Sequence, residues 1–246
     1  MKAIAIIPAR YASTRFSGKP LAILGGKPII QHVAERVSTC IPAFVATDDS
    51  RIFDCVTAFG GKAIMTGKHH KSGTDRIHEA LEKIEIQPDI VVNVQGDEPF
   101  IDIRQIETVI RLFDDASVQI GTLVKPFTSI DEIQNPNAPK VVCDANNNAL
   151  LFSRSVIPYL RGVDENHWAK YHTYLKHIGL YAYRTHVLNE IIRLPQSPLE
   201  KAESLEQLRW LQAGYQIRVA QTDIETIGID TPEDLQKAEE FLKKCS

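Results

Sequence analysis

Over the first half of the chain, short apolar runs alternate with segments whose apolar positions recur every three to four residues. Residues 4–8 form a nearly continuous apolar run, the pattern of a strand buried on both faces. Residues 43–47, 63–65 and 90–94 repeat it. Between these runs, residues 28–38, 52–59, 75–84 and 103–113 read as helices; in 75–84 the apolar positions are Ile77, Ala80, Leu81 and Ile84. Pro28 is placed in the first turn of its helix, where a missing N–H costs nothing. Gly60-Gly61 closes the next helix. This rhythm predicts an α/β fold, Rossmann-like, with a mostly parallel sheet flanked by helices.

Near Val118 the rhythm changes. Residues 120–124, 140–143, 149–152 and 177–183 read as strands with little helix between them. Residues 126–139 are rich in proline and asparagine and read as loop. Asn146-Asn147-Asn148 reads as a hairpin turn. An antiparallel insertion is the expectation. Helix, strand and helix then return at 205–213, 217–221 and 232–243. Residues 1–246 read as a single domain, with 1–124 and 205–246 forming the main α/β sheet and 125–204 the insertion.

Composition narrows the function classes. Of 246 residues, 43% are hydrophobic and 24% charged, which fits a globular chain. Lys and Arg number 28 against 31 Asp and Glu, a net charge of -3. That balance argues against a nucleic-acid binder or a membrane-surface protein, but not against a local basic pocket. The apolar runs fall far short of the roughly 20 residues of a spanning helix, so no membrane insertion is expected. The apolar N-terminal run is short for a signal peptide, and Arg10 and Arg15 follow where a small-residue cleavage site would lie. A cytoplasmic location is the expectation. Cys40, Cys55, Cys143 and Cys245 are scattered without C-x-x-C spacing, which indicates neither a zinc site nor a redox pair.

Three motifs carry chemistry. Directly after the first strand runs Pro8-Ala9-Arg10-Tyr11-Ala12-Ser13-Thr14-Arg15-Phe16-Ser17-Gly18-Lys19-Pro20. It places Arg10, Arg15 and Lys19 in a small-residue loop at the carboxyl end of a parallel strand, the edge where open α/β sheets bind ligands. Such a loop either encloses a triphosphate or is a solvated basic loop; it is neither a P-loop nor a dinucleotide fingerprint. Gln95-Gly96-Asp97-Glu98-Pro99 follows the fourth strand. Asp97 there is either a Mg²⁺ ligand or a turn residue bonding its own backbone, and Gly96 allows close approach of the backbone to a ligand. In Gly228-Ile229-Asp230-Thr231-Pro232-Glu233-Asp234, Thr231 is a natural N-cap and Asp234 its N3 partner. Asp230 is then spare, as a second metal ligand or as an ordinary residue before the helix. Cations for a polyphosphate and two aspartates for magnesium together suit nucleotidyl transfer, which needs charge neutralisation and in-line positioning.

These motifs, with Phe152-Ser153-Arg154 and His177-Ile178-Gly179-Leu180-Tyr181, closely resemble the 3-deoxy-manno-octulosonate (Kdo) cytidylyltransferases. The match runs from residue 3 to about residue 240. The resemblance implies the nucleotide-diphospho-sugar transferase type of fold, and synthesis of CMP-Kdo and pyrophosphate from CTP and Kdo for lipopolysaccharide. It implies that Arg10, Ser13, Arg15 and Lys19 grip the triphosphate, with Ser72 and Arg76 near the cytidine. Asp97 and Asp230 would hold Mg²⁺; Lys19, Asp97 and Asp230 would be the catalytic groups. Gln95, Arg154, His177, Tyr181 and Glu206 would line the sugar site. A homodimer made through the antiparallel insertion is also implied.

Physical chemistry supports parts of this reading. Arg154 is a sensible partner for an anionic sugar's carboxylate, and a neutral His177 can bond hydroxyls, although it also reads as a core histidine. His69, His70 and His78 read as surface residues. Trp168, Tyr171 and Tyr174 read as packing beneath the dimer contact. Phe16-Ser17 stands where the family usually has Leu-Pro. The alternative substrates are 8-amino-Kdo and a sialic acid. A non-catalytic nucleotide-binding module is a further alternative, against which the retained Lys19, Asp97 and Asp230 speak.

Overall fold

The computed structural model describes residues 1–12, 15–70 and 72–245, with the side chains of Lys244 and Cys245 excepted. In chain order the elements are β1 (Ala3–Ala9), β2 (Ile23–Leu24), β3 (Lys27–Pro28), α1 (Ile29–Ser38), β4 (Ala43–Thr47), α2 (Ser50–Ala58), β5 (Ala63–Met65), α3 (Gly73–Glu82), β6 (Ile90–Asn93) and α4 (Ile103–Arg111). Next come β7 (Ile120–Pro126), α5 (Ile130–Gln134), β8 (Lys140–Cys143), β9 (Ala149–Ser153), α6 (Trp168–Tyr171) and β10 (Leu175–Arg184). The chain finishes with α7 (Thr185–Ile191), α8 (Pro198–Glu203), α9 (Gln207–Gln212), β11 (Ile217–Gln221) and α10 (Pro232–Cys245). It forms two compact units, Met1–Glu107 with Glu225–Ser246, and Thr108–Ile224.

The first unit holds a parallel sheet in the order β6-β1-β4-β5. Ile4, Ala5, Ile6 and Ile7 are all buried, so β1 is covered on both faces, which is why its sequence is a continuous apolar run. The helices bury one stripe each: Ile29, Ile30, Val33, Ala34 and Val37 in α1, and Ile77, Ala80 and Leu81 in α3. Pro28 has ψ 145° and stands one place before the first helical residue rather than within the first turn. Two glycines with positive φ, Gly25 and Gly26, join β2 and β3 in a hairpin that the apolar pattern does not reveal. A side chain at Gly25 would meet Leu242 of α10 at 2.2 Å, so hairpin and terminal helix pack closely.

In the second unit β11 and β7 are parallel, whereas β7–β10, β10–β8 and β8–β9 are antiparallel. The antiparallel strands expected at 140–143 and 149–152 are joined through a turn at Asp144, whose carboxylate accepts the N–H groups of Asn146 and Asn148. Two expectations are corrected. Residues 126–139 are not all loop, because α5 lies within them, capped by Ser129 accepting from the Glu132 N–H. Ser129-x-x-Glu132 is a helix-start signal that the neighbouring prolines and asparagines obscured. The region 125–204 also contains more helix than expected, namely α6, α7 and α8. Among the described residues, no helix is long and apolar enough to cross a membrane.

Candidate active site

In the parallel sheet of the first unit, β1, β4 and β6 end on one edge, and a polar pocket opens there. Arg10, Arg15 and Lys19 line it, with Ser72 and Arg76 from α3, Gln95 and Asp97 from the turn after β6, and Asp230 from the turn before α10. Ser13 and Thr14 lie outside the described residues. Lys19 Nζ, only 13% exposed at its side chain, lies 2.5 Å from Asp97 Oδ2 and 3.1 Å from Asp230 Oδ1. Two carboxylates far apart in the sequence thus share one ammonium. Arg15 adds a more exposed contact to Asp230 at 3.1 Å.

The backbone explains the convergence. The Ile229 N–H donates to the Asp97 carbonyl at 2.9 Å, fastening the Asp230 turn to the Asp97 turn. Asp234 and Thr231 bond reciprocally: the Thr231 N–H donates to Asp234 Oδ2 and the Asp234 N–H to Thr231 Oγ1. Asp230 therefore keeps its carboxylate for Lys19 and Arg15. Ile229 is buried with Leu24, Ile29 and Ala238, and Phe16 of the basic loop packs against the same cluster. The loop is further closed by the Gly18 N–H donating to the Tyr11 carbonyl at 2.9 Å, with Gly18 at φ 72°. Gly96 has a different task from the one expected. A side chain there would come 2.9 Å from the Pro8 carbonyl, so its bareness lets β1 pass and leaves no sign of a ligand approach.

Ser72 and Arg76 are structurally engaged as well as pocket-lining. Ser72 caps α3 in a reciprocal pair with Asp75. Arg76 is buried and donates to Thr66 Oγ1 at 2.6 Å and to Asp48 Oδ2 at 2.8 Å.

The second unit has its own polar constellation. The β10–β7 register shifts between Ile178 and Tyr181, a bulge around Gly179. It brings the rings of His177 and Tyr181 to 5.2 Å, although four residues of regular strand span about 13 Å. Thr122 Oγ1 lies 3.1 Å from His177 Nε2 and donates to the Leu180 carbonyl at 2.8 Å. Its one hydrogen being spent, it accepts from Nε2, which leaves Nδ1 of His177 as an acceptor. Trp210 of α9 meets Tyr181 edge-on at 5.3 Å, and Glu206 at the start of α9 acts electrostatically on the Tyr181 hydroxyl. Arg154 is held by main chain: Nε donates to the Glu203 carbonyl at 2.6 Å and Nη1 to the Pro136 carbonyl at 2.9 Å.

The family model described as cytidylyltransferase matches residues 4–227. The chain is 61% identical to the 3-deoxy-manno-octulosonate cytidylyltransferase of Phocaeicola vulgatus, over 99% of this chain and 98% of that one. It belongs to the 3-deoxy-manno-octulosonate cytidylyltransferase family. The protein of the same description from Porphyromonas gingivalis is 55% identical, with 98% of this chain and 96% of that one covered. Among solved structures, CMP:2-keto-3-deoxy-manno-octonic acid synthetase complexed with CTP matches with a TM-score of 0.93 and 45% identity over 100% of both chains.

Within this cytidylyltransferase chain several participants were missed from sequence. Tyr11 is one: Arg51 stacks over its ring at 3.3 Å while also pairing with Asp49. Thr122, Phe152 and Trp210, which enclose His177 and Tyr181, read simply as strand or helix residues. His70 and His78 correct another expectation: their side chains are only 9% and 16% exposed, and His70 lines the pocket of the first unit. Trp168 and Tyr174 are buried with Ile133, whereas Tyr171 is exposed.

Burial pushes the pKa of His177 down to about 3. The native state then stays neutral where an unfolded chain, titrating near 6.5, takes up a proton. Stability from this group is present above that value and is lost as pH falls towards 3. Between pH 7 and pH 5 the loss is about 2 kcal/mol. Urea unfolding of the wild type and of His177→Gln at both pH values checks this; a stability difference that does not change with pH counts against it.

Proposed function

We propose that the chain transfers the cytidylyl group of CTP to 3-deoxy-manno-octulosonate, releasing pyrophosphate. The observation that carries this reading is Lys19 Nζ seated between Asp97 and Asp230, beside the basic loop. The anomeric hydroxyl oxygen of the sugar bonds to the α-phosphorus as the bond from that phosphorus to the pyrophosphate oxygen breaks, and the hydroxyl proton leaves to solvent. Arg10, Arg15 and Lys19 hold the triphosphate and meet the charge developing on the departing pyrophosphate. Lys19, linked to both carboxylates, is the cation best fixed for the α-phosphate. Ser72 and Arg76 shape the nucleotide side of the pocket.

The donor set fits magnesium. Two carboxylates converge on one cationic atom, and hard oxygen donors suit Mg²⁺. Asp97 and Asp230 would hold the ion, which when bound supplies charge neutralisation at the phosphates and lowers the pKa of a coordinated hydroxyl.

In the second unit, Arg154, His177, Tyr181 and Glu206 are assigned to the acid sugar, as is Gln95 of the first unit. His177 Nδ1 accepts from a sugar hydroxyl, and Arg154 supplies the positive charge for the carboxylate. We read the protein as a cytoplasmic homodimer formed through the second unit. Leu150, Tyr159 and Tyr171 are exposed there, as a contact surface requires. Sedimentation of the full chain tests the dimer.

The decisive assay measures pyrophosphate release from CTP and Mg²⁺ with Kdo, 8-amino-Kdo and a sialic acid in parallel. Kdo is expected to give the highest kcat/KM. A preference for another sugar would reassign the substrate, and tight CTP binding without turnover on any of them would favour a non-catalytic module.

A further inference from the structure

The loop between β5 and α3 carries a cluster that nucleotidyl transfer does not use. His69, His70 and Glu79 each offer one ligand atom, and these atoms lie within 4.8 Å of one another. On a tetrahedral ion with bonds of about 2.0–2.1 Å, ligand atoms stand about 3.3 Å apart. His70 Nε2 already bonds Glu79 Oε2, so the remaining closure falls to His69, whose side chain is exposed.

The surroundings are built to hold these groups. Glu79 Oε2 accepts the Gly67 N–H at 2.8 Å and Oε1 accepts Lys83 Nζ at 2.6 Å. Lys83 Nζ also donates to the Met65 carbonyl at 2.8 Å, tying α3 to the end of β5. A ligating carboxylate commonly has such outer partners, which fix its orientation. Burial raises the Glu79 pKa, but the bonds from Lys83, Gly67 and His70 carry it down to about 2, so the carboxylate is charged throughout the neutral range. Gly67 leaves space for the His69 ring: a Cβ there would sit 2.4 Å from His69 Cε1. The two imidazoles lie with centroids 4.4 Å apart. Two imidazole nitrogens and one carboxylate oxygen form a borderline donor set, suited to zinc and unlike the all-oxygen pair of Asp97 and Asp230.

We propose that His69, His70 and Glu79 bind a Zn²⁺-class ion, separately from the magnesium pair. The fourth position would take water. Binding releases any proton on the ligating ring nitrogens, so affinity rises with pH through the imidazole range. Because His70 also lines the pocket of the first unit, the ion would brace that wall. Ion binding itself does not depend on the CTP assignment.

The test titrates the full-length, reduced protein with Zn²⁺, and with Co²⁺ as a spectroscopic probe, in excess Mg²⁺ to occupy the aspartate pair. The expected result is binding of one equivalent, a visible spectrum of four-coordinate Co²⁺ without thiolate charge transfer, and at least about a tenfold loss of affinity in His69→Ala. Hydrogen exchange on adding Zn²⁺ should slow at residues 66–70 and at the start of α3. His69 is exposed, so His69→Ala should keep the wild-type unfolding midpoint and the Mg²⁺-supported rate of pyrophosphate release. Absence of stoichiometric binding, unchanged affinity in His69→Ala, or protection confined to another region would each overturn the assignment. Failure of turnover with CTP would bear only on the catalytic reading.

Discussion

Asp97→Asn is expected to lower kcat for CTP-dependent pyrophosphate release by about 10²–10³-fold, the range found when one group that stabilises transition-state charge is removed. The substitution keeps the shape of the side chain and removes its charge. It should leave the fold intact, because the bond that fastens the Asp230 turn uses the Asp97 main-chain carbonyl and not the carboxylate. Lys19 would retain Asp230 at 3.1 Å. The KM for CTP should change less than kcat, since Arg10, Arg15 and Lys19 remain to hold the triphosphate. Steady-state kinetics and a thermal unfolding scan on the same preparation separate the two effects. Full activity in Asp97→Asn would remove the catalytic assignment of the pair, and a large drop in unfolding midpoint would give the carboxylate a structural role instead.

The parallel sheet and the basic loop were legible because their signals are local. A continuous apolar run such as 4–8 can only be satisfied by burial on both faces, and its carboxyl end then fixes where the following loop must stand. The reciprocal cap of Thr231 and Asp234 was equally plain, since it depends on residues three apart. What the sequence concealed was long-range pairing. Nothing in Gly96 distinguishes a glycine facing a ligand from one that clears the Pro8 carbonyl. Nothing in Thr122 shows that its hydroxyl bridges the bulge of β10 and fixes the His177 ring. Gly179 was the available clue, because a glycine inside a strand pattern signals a bulge. His70 was misread because loop histidines are usually solvated, whereas Glu79, nine residues on, comes back to it across the first turns of α3.

The largest stability effect is expected where two charges are buried together in the second unit. Glu200 of α8 and Arg209 of α9 are 6% and 8% exposed, and Arg209 donates from Nε and Nη2 to the two carboxylate oxygens at 2.8 and 2.5 Å. Glu200→Ala strips the buried guanidinium of its bidentate partner. It also removes the acidic half of the capping pair that Glu200 makes with Ser197. Breaking such a pair from one side costs about 3–5 kcal/mol, because the surviving charge stays in a poorly solvated place. Glu206 lies 3.8 Å from Arg209 Nη2 and is the nearest replacement anion at the start of α9. A turn of Arg209 towards it would draw Glu206 from the Tyr181 side, so an increase in the KM for the acid sugar should accompany the loss of stability. Glu200→Gln keeps the shape and part of the hydrogen bonding and should cost less. The double variant Glu200→Ala/Arg209→Met removes both charges and should regain much of the lost stability, giving a positive coupling in a double-mutant cycle. Denaturant titrations of the four proteins decide it: a Glu200→Ala loss below about 1 kcal/mol, or additive losses in the double variant, would mean that the pair does not hold α8 against α9.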